Sequence, residues 1–148
     1  MNSYDAANLV VSLQFTSGKT TSPLALQKLL FYCHAYHMAF LNEPLFDEKV
    51  EAWAYGPVIP SVYQKYAGYG SQVIEPEEIN ETEINTPQET LRIISLVLSR
   101  YGVFSPMELV NMTHQESPWK DAYLPGKNNV IENSAIKNFY EKFITKNK

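Results

Sequence analysis

Residues 22–42 read SPLALQKLLFYCHAYHMAFLN, and this stretch decides the fold. Ser22 followed by Pro23 supplies the two things a helix start needs, a hydroxyl that can cap exposed amides and a ring that presets φ at the first helical position. From Pro23 to Leu41, the residues Leu26, Leu29, Leu30, Cys33, His37 and Phe40 fall along one stripe. Leu24, Phe31, Tyr32 and Tyr36 spread that stripe over much of the circumference. A helix apolar around so much of its girth has to be surrounded by other elements, so it is expected at the centre of the domain. Asn42 suits a left-handed cap, and Pro44 lies just beyond it.

The same punctuation recurs outward from this helix at Thr86-Pro87, Ser105-Pro106 and Ser117-Pro118. Thr86 with Glu89, and Ser105 with Glu108, fit the capping box, in which the cap hydroxyl and the glutamate three residues on satisfy each other's free amides. Helices are therefore expected over Ser3 to Phe15, ended by Gly18, and over Pro57 to Tyr66. Others are expected over Pro87 to Tyr101, closed by Gly102, over Pro106 to Thr113, from Pro118, and over Ser134 to Ile144. One segment breaks the helical period. Val50 to Tyr55 alternates small and large apolar residues, the signature of a short strand before a Gly56-Pro57 turn, with pairing expected toward the segment near Val73. The fold expected is mainly α, a compact multi-helix domain over residues 1–148 with a short β-strand or hairpin element.

Composition narrows the function classes. A chain of 148 residues with 45% hydrophobic content buries a core without help from metals or disulfides. Its single cysteine, Cys33, suits a reducing compartment. Twelve Lys and Arg against sixteen Asp and Glu give a net charge of −4, with Arg92 and Arg100 as the only arginines. That balance argues against binding nucleic acid through its phosphate backbone. The short connection Gly102 to Phe104 resembles that of a helix-turn-helix, but its second helix, Pro106 to Thr113, carries Glu108 and no Lys or Arg. The N-terminus lacks the charged region of a signal peptide, and no apolar run is long enough to span a membrane. A cytoplasmic protein is expected.

Motifs of nucleophilic or phosphate chemistry such as GxSxG and GxxxxGK[ST] are absent. His34 and His37 share a helix face, and His114 with Glu116 is the other cluster a metal could use; packing and hydrogen bonding are the simpler reading of the helical histidines beside Tyr32 and Tyr36, and neither a metal nor a cofactor is expected. Cys33 reads as a buried structural thiol. Two compact groups ask for more than packing. In Glu51 to Pro60, EAWAYGPVIP, a strand end, a glycine and two prolines hold Trp53 and Tyr55 in a turn. In Thr113 to Trp119, THQESPW, a histidine and a carboxylate accompany the only other tryptophan. Each tryptophan either plugs the core beneath a loop or anchors a binding surface. The His114 and Glu116 pair could also serve acid–base chemistry. Ten of the nineteen aromatics are tyrosine, and Tyr55, Tyr63, Tyr66 and Tyr69 crowd around the turn. Beyond them, Glu75 to Glu83 holds five glutamates and is either a solvated loop or an acidic docking element.

Taken in order, Leu26 to Tyr32, Pro44 to Phe46, Glu51 to Val58, Tyr63 to Gly70, Tyr101-Gly102 and Thr113 to Trp119 resemble the Panacea domain, the family of SocA-like antitoxins and prophage-associated GepA-type proteins. The resemblance implies a non-enzymatic antitoxin of a bacterial or phage toxin–antitoxin system. Its partner would be a cognate toxin encoded by an adjacent gene and neutralised by direct binding. In one branch of the family the domain instead acts as an adaptor delivering its toxin to the ClpXP protease. On that reading the candidate contact residues are Trp53, Tyr55, Tyr66, Tyr69, Glu77, Glu78, His114 and Trp119, and no catalytic residue is expected.

Overall fold

The computed structural model describes residues 1–77 and 85–146. Along the chain run α1 (Ser3–Thr16), α2 (Pro23–Leu41), β1 (Glu51–Trp53), β2 (Gly56–Val58), α3 (Pro60–Tyr66), a 3-10 turn (Ala67–Tyr69), α4 (Gln88–Tyr101), α5 (Pro106–His114), α6 (Ser117–Ala122), β3 (Asn129–Val130) and α7 (Asn133–Lys146). The architecture is mainly α with a small antiparallel sheet.

The helix α2 is the axis. Ser22 accepts from the Ala25 amide, Asn42 closes the other end at φ 60°, and every residue from Ala25 to Met38 is buried. The helices α7 and α4 pack against it most extensively, with α1, α5, α3 and β2 completing the enclosure. An all-round apolar helix has no face to offer water, which is why so many neighbours share it. The histidines of α2 tie it to that shell. His34 Nδ1 accepts from the Leu45 amide and its Nε2 meets Asn133 Oδ1, while its ring stacks on Phe46. His37 donates from Nδ1 to the Glu43 carbonyl, and its Nε2 meets the Thr90 hydroxyl.

The capping box at Ser105 forms with both of its hydrogen bonds, Glu108 N–H to Ser105 Oγ at 3.2 Å and Ser105 N–H to Glu108 Oε1 at 2.9 Å. At α4, Pro87 rather than Thr86 occupies the cap position, because its ψ of 143° is extended and helical geometry begins only at Gln88.

The β element differs from expectation in two ways. Gly56-Pro57 is not the turn but the start of β2; Ala54 and Tyr55 make the turn, so α3 begins at Pro60. Glu51, Ala52 and Trp53 pair with Val58, Pro57 and Gly56. The third strand comes from Asn129–Val130, which pairs with Ala52 and Glu51, and not from the segment near Val73. Ile131 is buried and its N–H reaches the Val50 carbonyl, so the chain leading into α7 is pulled across the free edge of β1. The Val73 region goes elsewhere, with the Ile74 N–H bound to the Thr21 carbonyl. Gly56 takes φ +105°, and a Cβ there would lie 2.7 Å from Thr113 Oγ1 and 2.9 Å from Lys28 Cε, so both its conformation and its surroundings require glycine. Among the described residues no single helix is long and apolar enough to cross a membrane.

Candidate partner interface

The two groups singled out in the sequence meet in space. Trp119 Nε1, on α6, donates to the Trp53 carbonyl at 2.8 Å, joining the α5–α6 corner to the hairpin. The Trp119 ring lies between His114, at 3.9 Å and 17°, and Tyr123, at 4.6 Å and 15°. Trp53 meets Tyr63 of α3 edge-on at 4.9 Å, and its Nε1 donates to Glu51 Oε1, whose other oxygen pairs with Lys49 at 3.1 Å. Tyr55 stands at the hairpin tip, 62% exposed. Neither tryptophan is enclosed; both are half-buried. The result is a face of aromatic rings held by each other and by backbone hydrogen bonds.

Beneath this face, two polar residues of the apolar helix α2 secure the hairpin. Lys28 is fully buried, and its Nζ donates to the Pro57 carbonyl at 2.8 Å. Burial pulls its ammonium down to about 7 from an ordinary 10.5. Gln27 brackets Ile59, accepting from its N–H at 2.8 Å and donating to its carbonyl at 3.4 Å. Pro57 offers no N–H to the ladder, but its carbonyl is free to receive Lys28. His114 lies close enough to Lys28 to feel its charge. Burial lowers the imidazole pKa most, the Ala54 carbonyl opposes it, and Lys28 adds a smaller lowering. Its Nε2 is buried without a hydrogen-bond partner among the described residues.

Glu116 faces the other way. Its Oε1 accepts from Tyr32 at 2.8 Å and from Tyr140 at 2.7 Å, deep between α2 and α7. Tyr32 stacks on Tyr101 at 4.1 Å and 7°, and the Tyr101 hydroxyl meets that of Tyr36 at 2.6 Å. Burial raises the Glu116 carboxyl pKa, opposed by the two tyrosyl hydrogen bonds. The hydroxyls of Tyr32, Tyr101 and Tyr140 are all driven up, chiefly by burial. The acid–base pair considered for His114 and Glu116 is therefore not formed: one ring stacks on the surface and the carboxylate is spent inside. No group of three His, Cys, Asp or Glu side chains suited to a metal occurs among the described residues. His34, pulled down to about 4 by burial, and the Cys33 thiol, pushed up by burial, are structural.

The remaining candidates form a separate patch. Lys65 pairs with Glu77 at 3.3 Å and sits 5.4 Å from the rings of both Tyr4 and Tyr66. Tyr66 is only 4% exposed and belongs to the core, so it supports half-buried Tyr69, 5.8 Å away, rather than offering a surface itself. Among the described residues, no hydrogen bond, ion pair or ring contact joins Tyr66, Tyr69 or Glu77 to the tryptophan face. Glu78 lies outside the described residues. Sequence reasoning missed Gln27, Lys28 and Tyr123 as parts of the site. The available signal was an amide and an ammonium side by side in a helix otherwise apolar all round.

The family described as "Antitoxin SocA-like, Panacea domain" matches residues 26–120, a span that holds both the hairpin and the α5–α6 corner, and the chain belongs to that family. Antitoxin SocA from Caulobacter vibrioides (strain NA1000 / CB15N) is 30% identical to it over 123 residues, covering 76% of this chain and 65% of the relative's length. No solved structure matches the chain.

Proposed function

We propose that the chain is a non-catalytic antitoxin that neutralises a cognate toxin, the product of an adjacent gene, by direct protein–protein binding. Family membership supports the antitoxin role. The observation that most supports direct binding is the Trp119–Trp53 junction, which fuses two separate sequence motifs into one half-exposed aromatic face. Aromatics already ordered before binding lose little entropy on docking and are the preferred anchors of interfaces. Trp53, Tyr55, His114 and Trp119 form the central contact, with Tyr69 and Glu77 as a second patch steadied by Tyr66; Glu78, outside the described residues, is proposed as a contact on its sequence alone. The net charge of −4 would steer such a surface toward a basic cleft on the partner.

Co-expression with the neighbouring gene's product tests the proposal by growth rescue and co-purification. Rescue with toxin abundant and bound is the expected result, and failure of both readouts overturns it. Rescue accompanied by a protease-dependent fall in toxin level instead supports the ClpXP adaptor reading.

A further inference from the structure

The far end of the molecule carries an apolar strip that the tryptophan face does not use. On α4, Glu89, Ile93, Leu96 and Arg100 fall at i, i+4, i+7 and i+11, one straight line along the helix. Leu96 is 46% exposed, and beside it Phe40, near the C-terminus of α2, is 49% exposed. Phe40, Leu41, Glu89, Arg92, Ile93 and Leu96 line a largely apolar depression of about 280 Å³. Neither Glu89 nor either arginine forms a salt bridge among the described residues. An acid in the first turn and a base in the last suit the dipole of a lone helix. That preference accounts for the charges and leaves the exposed Leu96 and Phe40 unexplained.

The line is self-complementary. Residues 89 and 100 share a midpoint with residues 93 and 96, between Ile94 and Ser95. A twofold axis through that point sets Glu89 of one helix opposite Arg100 of another, and at the same time Ile93 opposite Leu96. An axis centred on Leu96 would instead oppose Arg92 to Arg100, and one between Thr90 and Leu91, which also pairs Glu89 with an arginine, would set Leu96 opposite Asn85 and Ile93 opposite Gln88, so charge and apolar contact together select this register. We infer that this face docks a second copy of the chain, α4 against α4 antiparallel, with the Phe40 side chains closing over the apolar centre. Phe40 lies twelve residues beyond Lys28 on α2, about 18 Å along its axis. The dimer therefore leaves both tryptophan faces free, and its formation does not depend on what those faces bind.

Sedimentation equilibrium at low salt, from about 1 µM to about 1 mM protein, is expected to show association to twice 16.9 kDa. Glu89→Arg and Arg100→Glu each place like charges across the seam at both ends, and each is expected to weaken association about tenfold or more. The double variant restores opposite charges in the reversed sense and should recover association. Both positions are solvent-exposed, so the variants should keep the wild-type far-UV circular dichroism. A wild-type chain that stays monomeric throughout overturns the inference and leaves the strip to a segment of another protein. So do single variants that associate like wild type, or a folded double variant that remains monomeric.

Discussion

One heptapeptide, Thr113 to Trp119, faces two ways, and its two sides treat aromatic residues differently. Inward, Glu116 gathers Tyr32 and Tyr140, while Tyr36 and Tyr101 satisfy each other, so every tyrosyl oxygen of this cluster is matched in a region closed to water. Outward, His114 stacks on Trp119, which is tied to the hairpin through the Trp53 carbonyl, a ring nitrogen of His114 lacks a partner among the described residues, and Tyr55 stands in solvent. Hydrogen bonds between buried polar groups enforce one arrangement, because any alternative strands a donor in low dielectric. Rings held rigid but left open do the opposite job, since they keep surface that a partner can cover. The inner cluster fixes the geometry that the outer face presents.

The most damaging test of that dependence is Glu116→Ala. It removes the acceptor of two buried hydroxyls at once and leaves a space between α2 and α7. Stranding two donors should cost about 2 to 4 kcal/mol in urea unfolding, with the outer face lost as well. Glu116→Gln, which keeps an acceptor at the same reach, should lose clearly less. Equal stability for wild type and Glu116→Ala would mean that the inner cluster is not what holds the corner.

The inner side was the harder one to read from sequence. The helix α2 was plain from Ser22-Pro23 and an apolar run without a polar face, and the Ser105 box from its hydroxyl and its glutamate. These are local signals, each complete within a few residues. Glu116 is different. A carboxylate between a glutamine and a serine in a connecting segment reads as exposed, and its burial follows only from tyrosines 84 and 24 residues away. The same reasoning covers the third strand, where Asn129–Val130 displaced the nearer Val73 segment because α7 draws its own leader across β1. Gly56-Pro57 misled for another cause. Glycine was needed there for a positive φ and for the approach of Lys28, and neither need distinguishes a turn from the first residue of a strand.

A smaller and more selective break lies at Lys28, which connects the buried side to the hairpin. Its folded pKa of about 7 lies below the ordinary 10.5. Between those values the unfolded chain holds a proton that the native chain has released, so stability should rise with pH from about 7 toward 10, by at most about 1.4 kcal/mol per pH unit. Above 10 the buried tyrosines reverse the trend, since they keep their protons when unfolded tyrosines lose theirs. Lys28→Met removes the titrating group, and urea unfolding at a series of pH values should then show a flatter profile between pH 7 and 10. It also leaves the Pro57 carbonyl without its donor, so the variant should retain its helical signal while rescue of the toxin-expressing strain weakens. An unchanged pH slope would show that Lys28 is not the group responsible.

The smallest expected effect on stability belongs to the outer face, and it sharpens the comparison most. Tyr55 at the hairpin tip is 62% exposed and makes no hydrogen bond among the described residues, so Tyr55→Ala should shift unfolding by no more than about 0.5 kcal/mol. If this face is the contact surface, the same change removes an aromatic anchor, and anchors at interface centres commonly cost about 2 kcal/mol or more in binding when truncated. Titration of the purified toxin with wild type and Tyr55→Ala should therefore separate affinity from stability, with roughly a 30-fold or greater loss in the first and almost none in the second. A variant that binds like wild type removes Tyr55 from the contact. A variant that unfolds as readily as a core substitution shows that the tip belongs with the inner cluster, and the division between the two sides of the heptapeptide then fails.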